Sequence, residues 1–238
     1  MGRHDVRVVT CRDLLTMVEP LEKERTLTKE KVTEAADYLI RNWTDIMPLF
    51  GSHPPSYVDL GAEWLSLADA FQALTQTLAY YHRYGSLPET VAIREVLGPV
   101  DAFSNEPLLP PRVFNFQMVA GEEILGAAAS VIPEMKERIP GRIKLGSIGE
   151  VNPVEFLYLM AQEVKTLSRT GKPSPAAFVS CNIIPLNLSQ TNEMYPVPIG
   201  TIPPHWPGFR SPRPVMNMRS WNTLAQLWTV KPAKIKME

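Results

Sequence analysis

Apolar residues recur at helical spacing in several places along this chain, each bounded by recognisable start and stop residues. Val32, Ala35, Ala36, Leu39 and Ile40 form one apolar stripe, which predicts a helix from about Lys29 to Trp43 with Thr28 as its cap. Leu67, Phe71, Leu74, Leu78 and Tyr81 form a second stripe, capped by Ser66 and stopped at Gly85. A third helix is expected from Ile124 to about Met135. A fourth opens at Asn152-Pro153-Val154-Glu155 and runs through Phe156-Leu157-Tyr158-Leu159-Met160. Its start signal is strong: Asn152 can accept first-turn amides, Pro153 needs no amide proton there, and Glu155 completes a capping box.

Between these runs the pattern turns extended. Tyr57-Val58-Asp59-Leu60 breaks at Gly61, and Arg142-Ile143-Lys144-Leu145 follows a Pro140-Gly141 turn and leads into a turn at Gly146 and Gly149. Pro88 to Ile93 reads as another short strand. Val6 to Thr10 and Cys11 to Val18 read as a strand and a short helix.

The order of these features occurs twice: a helix with Ala-Ala, a proline turn, an extended piece ending Leu-Gly, then a capped helix with a phenylalanine. Leu60 and Phe71 stand as far apart as Leu145 and Phe156, and Phe71 and Pro88 as far apart as Phe156 and Pro173. The caps slip by one position against the phenylalanines. One such unit is too small to bury its own apolar side, so two units must close on each other. The expected fold is mainly α with short β ribbons, a tandem repeat of helix–hairpin–helix units plus an extended Pro-rich C-terminal segment. The layout is an N-terminal segment over 1–27, a first unit over 28–106 and a connector over 107–121. A second unit covers 122–187, and a Pro/Trp-rich wrap covers 188–238.

Composition narrows the function classes. The chain has 238 residues, of which 45% are hydrophobic and 21% charged, enough for a buried core. The 24 basic and 25 acidic side chains leave a formal charge of -1, so no global field favours nucleic acid. No apolar run is long enough for a membrane span or a signal peptide. The expected location is the cell surface or exterior if the chain belongs to a larger exported protein, and the cytoplasm if it is complete as written. Cys11 and Cys181 have no metal-type spacing, and one disulfide between them is left open.

His4, His53, His82 and His205 form no HxxH pair, and no nucleotide or hydrolase motif is present. The expectation is therefore no catalytic centre, no metal and no cofactor. Glu122-Glu123 suits a helix start better than acid–base chemistry. Cys11 beside Arg12 lacks a histidine partner in the local sequence.

Aromatic residues are the better lead, because exposed rings stack on sugars. The candidate ligand-binding residues are Tyr57, Trp64, Tyr84, Tyr158, Trp206, Asn217, Arg219 and Trp221. The last four lie in the tail, which is too aromatic for a free linker and is expected to wrap the folded body.

Arg138-Ile139-Pro140-Gly141-Arg142-Ile143-Lys144-Leu145 followed by Val151-Asn152-Pro153-Val154-Glu155-Phe156-Leu157-Tyr158-Leu159-Met160-Ala161 resembles the pseudomurein-binding repeat of archaeal cell-wall proteins. Val32 to Ala79 resembles it more loosely, departing at Gln72-Ala73-Leu74 and in a longer first loop. The two stretches cover about half the chain. The resemblance implies a noncatalytic module that holds a cell-wall polymer or glycan. Two other readings fit the same residues: the C-terminal accessory region of a carbohydrate-active enzyme such as a polysaccharide deacetylase, and a cytosolic protein-interaction scaffold.

Overall fold

The computed structural model of the protein describes residues 24–45, 52–55, 57–61, 63–99, 117–179 and 228–229. Among these the protein is mainly helical with short antiparallel ribbons.

The first half opens with strand β1 (Glu24–Thr28) and helix α1 (Lys29–Asn42). A small ribbon of β2 (Thr44–Asp45) and β3 (Ser52–His53) follows, then the hairpin β4 (Tyr57–Asp59) and β5 (Trp64–Ser66). Helix α2 (Leu67–Tyr84) and strand β6 (Thr90–Arg94) complete it, and β6 returns antiparallel to β1. In the second half β7 (Gln117–Val119) leads into α3 (Gly121–Glu134), the hairpin β8 (Ile143–Leu145) and β9 (Gly149–Val151), α4 (Pro153–Thr170) and β10 (Ala177–Val179). Strand β10 pairs with β7 as β6 does with β1.

Local chemistry explains the helix boundaries. Thr28 accepts from the Lys31 amide. Ser66 and Asn152 each head a reciprocal capping box, with Asp69 and Glu155 returning a carboxylate to the cap amide. Gly85 and Gly171 stop α2 and α4 in the left-handed region, at φ 70° and 67°, where a side chain would be strained.

The structure moves three sequence-based boundaries. Strand β1 falls almost wholly within the segment assigned to 1–27, yet its ladder to β6 ties it to the first unit. Strand β7 falls within the assigned connector and is tied to the second unit by β10. Helix α3 begins at Gly121, ahead of Ile124. The long helices α2 and α4 can also be compared from their ends. The caps Ser66 and Asn152 are separated by the same number of positions as the terminating glycines Gly85 and Gly171, so counting from either end pairs Phe71 with Leu157 and Ala70 with Phe156.

One contiguous core holds the helices together. Helix α1 packs chiefly on α4, and α3 on α2, so each half buries its first helix against the second helix of the other half. Helices α2 and α4 run side by side in the same direction. Phe71 meets Phe156 with ring centroids 6.1 Å apart, Thr75 approaches the Met160 sulfur at 3.3 Å, and the Tyr81 hydroxyl donates to the Gly171 carbonyl at 2.8 Å. Small residues, Ala35 and Ala36 on α1 and Ala127 and Ala128 on α3, let these helices approach closely. Arg94 ties the halves at their edge: its amide donates to Gln72 and its guanidinium to the Lys136 carbonyl at the end of α3.

Of the C-terminal segment, Trp228 and Thr229 are described. Trp228 is buried, its ring edge-on to Phe71 at 6.1 Å, and its carbonyl accepts from the first-turn amide of Ala68 at 2.8 Å. Trp228 thus packs at the start of α2. The remainder of the proposed wrap, the segment from Val6 to Val18, and Cys11, Cys181, His4 and His205 lie outside the described residues.

Candidate ligand-binding surface

The hairpin β4–β5 sorts its side chains by register. Val58 pairs with Leu65, and both are buried in the core. Tyr57 opposite Ser66 and Asp59 opposite Trp64 therefore occupy the other face, because side chains alternate along a strand. Tyr57 and Trp64 are diagonal neighbours across the two strands, and Asp59 stands directly opposite Trp64. Tyr57 and Trp64 are half-buried, and Asp59 is exposed.

Tyr38 of α1 closes this face. Its hydroxyl pKa is raised, by burial first and then by the nearby Asp59 charge and the Tyr57 phenol. The ribbon is held onto the start of α2 by charge. Arg25 donates to the Trp64 carbonyl at 3.3 Å and to Asp69 at 2.5 Å, and Glu63 in the turn pairs with both Arg25 and Lys31. Tyr57, Trp64 and Asp59 thus share one hairpin face, with Tyr38 close to Tyr57 and Asp59. Rings supply flat apolar area for a sugar, and Asp59 can accept from its hydroxyls.

The other candidates are placed differently. Tyr84 lies at the far end of α2, about 25 Å along the helix axis from its start at 1.5 Å per residue. It is 56% exposed, and its ring lies tilted against that of Tyr80, itself 40% exposed, with centroids 4.5 Å apart. Tyr158 is half-buried between α1 and α4, its ring 4.7 Å from Trp43. Trp206, Asn217, Arg219 and Trp221 lie outside the described residues. The hairpin register thus sets Tyr57 and Trp64 on one face, while Tyr84 stands at a second location and Tyr158 packs between helices.

Sequence reasoning missed Tyr38 and Asp59 as members of this surface. Tyr38 lies off the apolar stripe of α1, which was a visible signal. What it faces is decided by how α1 packs on β4, which the sequence pattern does not contain.

The second half carries a different buried polar group. Glu163 of α4 is fully buried and accepts from both the amide and the hydroxyl of Ser174. Its carboxyl is pushed above the usual glutamate range by burial, opposed by the Ser174 hydrogen bonds and reinforced by the like charge of Glu122. Gly121 at the start of α3 lies so close that a Cβ there would stand 2.6 Å from the Glu163 carboxylate, so no side chain fits. This group is sealed from solvent and fixes the start of α3 to the approach to β10.

Among the described residues no cluster of three metal-type ligands occurs. No described helix is long and apolar enough to cross a membrane. Comparison with known protein families, with characterised proteins and with solved structures finds no match to this chain.

Proposed function

We infer that the chain is a noncatalytic module that binds a cell-wall or surface polymer, a pseudomurein-like glycan or peptide, through two tandem copies of one strand–helix–hairpin–helix–strand unit. The observation that carries this reading is the face of the first hairpin on which the register sets Tyr57, Trp64 and Asp59, with Tyr38 close to Tyr57 and Asp59. Supporting the duplication, the two halves share the order of helices and hairpin, the terminal strand pairing and helix lengths of 14 and 18 residues, the small ribbon β2–β3 being an addition in the first half. The mutual burial of first and second helices supplies the apolar area that one unit lacks. The Pro-rich segment over 188–238 is read as a wrap that Trp228 pins to α2.

The test is sedimentation of the folded protein with insoluble wall polymer. Retention of the parent chain and its loss in Trp64→Ala combined with Tyr57→Ala, with the circular dichroism spectrum unchanged, is the expected result. Equal retention of parent and variant, or none of the parent, rejects it.

A further inference from the structure

Helices α2 and α4 open with the same capping box but differ in how they satisfy the second amide of the first turn. In α4 the Asn152 side-chain oxygen accepts from both Val154 and Glu155, at 2.9 Å each. In α2 the Ser66 hydroxyl accepts from Asp69, and the Ala68 amide donates instead to the Trp228 carbonyl at 2.8 Å. The side chains divide in the same way. Counted from the caps, Val154 stands in α4 where Ala68 stands in α2, with two more carbons. Ala68 precedes Phe71 by one turn on the same side of α2. The Trp228 ring lies edge-on to Phe71 with centroids 6.1 Å apart and is 1% exposed. Phe71 in turn meets Phe156 across the seam between the halves.

We propose that the start of α2 is a peptide-binding slot for a tryptophan and that residue's own carbonyl, occupied in cis by the segment of this chain around Trp228. The two recognition elements are complementary in kind. Phe71 takes the indole through an edge contact, and the first-turn amide that Ser66 leaves over takes the main chain. A bond to main chain fixes position and is indifferent to sequence, so the indole supplies the selectivity. In the second half the matching amide is already taken by Asn152. The partner that fits is therefore a tryptophan-bearing peptide. It competes with a tethered copy, whose attachment raises its local concentration. The slot stands whether or not the chain holds a wall polymer.

The experiment uses the full chain carrying Trp228→Ala and a dye-labelled synthetic peptide copying residues 223–233, with binding followed by fluorescence anisotropy. The peptide is expected to bind this variant at least about tenfold more tightly than the parent chain, whose slot is filled. A peptide with alanine in place of its tryptophan is expected to lose the binding. Ser66→Asn added to Trp228→Ala copies the α4 cap. It is expected to lower peptide affinity several-fold with an unchanged circular dichroism spectrum, because the asparagine oxygen takes the Ala68 amide. Where Trp228→Ala alone lowers the helical signal, saturating peptide is expected to restore it. Equal affinity for parent and variant, equal affinity of the two peptides, or neither binding nor restoration overturns the slot. An affinity indifferent to Ser66→Asn overturns the role given to the Ala68 amide. Sedimentation with wall polymer is a separate measurement, and its failure leaves the peptide result untouched.

Discussion

The two halves open their long helices with the same capping box and surround it with opposite electrostatics. In the first half the box residue Asp69 meets Arg25, and Glu63 joins Arg25 to Lys31, all within reach of solvent. In the second half Asn152 and Glu155 are buried, and one helical stretch further on Glu163 is buried too, held by the amide and hydroxyl of Ser174. Counted from the caps, Thr77 stands in the first half where Glu163 stands in the second. One frame therefore tolerates two ways of holding polar groups: opposite charges near the surface, or hydrogen bonds in the interior. The surface solution is open to salt, and the interior solution is open to pH.

The largest expected effect tests whether the halves are one body. Phe156 is fully buried against Phe71 of the other half. Phe156→Ala is expected to cost about 3–5 kcal/mol, the usual range for emptying a core phenylalanine site. The loss should appear in a single thermal transition, since each half completes the other's core. Two separate transitions in calorimetry, one unmoved, would mean that the halves fold independently.

Next in size is Glu163. Glu163→Ala leaves the Ser174 amide and hydroxyl without their acceptor and is expected to cost about 1–3 kcal/mol. The pH dependence has a definite sign. The folded carboxyl takes up its proton at higher pH than the unfolded one, so its contribution to stability is full below the ordinary value of 4.5 and is lost as pH rises through the raised folded value. Glu163→Gln cannot ionise, so relative to the parent it should gain stability at neutral pH and lose that advantage in acid. Melting temperatures of both proteins across pH 4.5 upward measure the difference. A constant difference would show that burial does not perturb this carboxyl.

A smaller effect compares the caps. Ser66→Ala is expected to cost about 1 kcal/mol, and Asn152→Ala more, toward about 2 kcal/mol, because two amides depend on a buried Asn152 oxygen. Urea denaturation of the two variants ranks them. The reverse order would show that the charged surroundings of Ser66 matter more than burial.

Much of this frame was legible before the coordinates. Helix starts are written locally, in Thr28, Ser66 and Asn152, because a cap acts on amides two or three residues away. The glycine stops are equally local. Strands β1 and β7 were missed because each is short and finds its partner far along the chain, Glu24 opposite Arg94 and Gln117 opposite Val179. The one-position slip between caps and phenylalanines was already visible in the sequence, and the terminating glycines Gly85 and Gly171 keep the spacing of the caps. As for the surface, the aromatic character of Tyr57 and Trp64 was visible, but their common face follows from the hairpin register. The meeting of Tyr81 with Gly171 depends on how α2 and α4 pack, which no local pattern records.

The smallest effect isolates the surface solution. Arg25 bridges Asp69 and Glu63 with its side chain 14% exposed, so the pair gains from partial desolvation while remaining within reach of counterions. Arg25→Gln should cost about 1 kcal/mol or less in low salt, and the difference from the parent should shrink as salt is raised. Glu163→Gln supplies the internal contrast, because its carboxylate is sealed from counterions and its difference from the parent should hardly respond to salt at fixed pH. Paired denaturation curves at low and high ionic strength decide the matter. Equal salt responses at the two sites would erase the distinction between a surface-held and an interior-held half, and would place the Arg25 cluster with the buried groups.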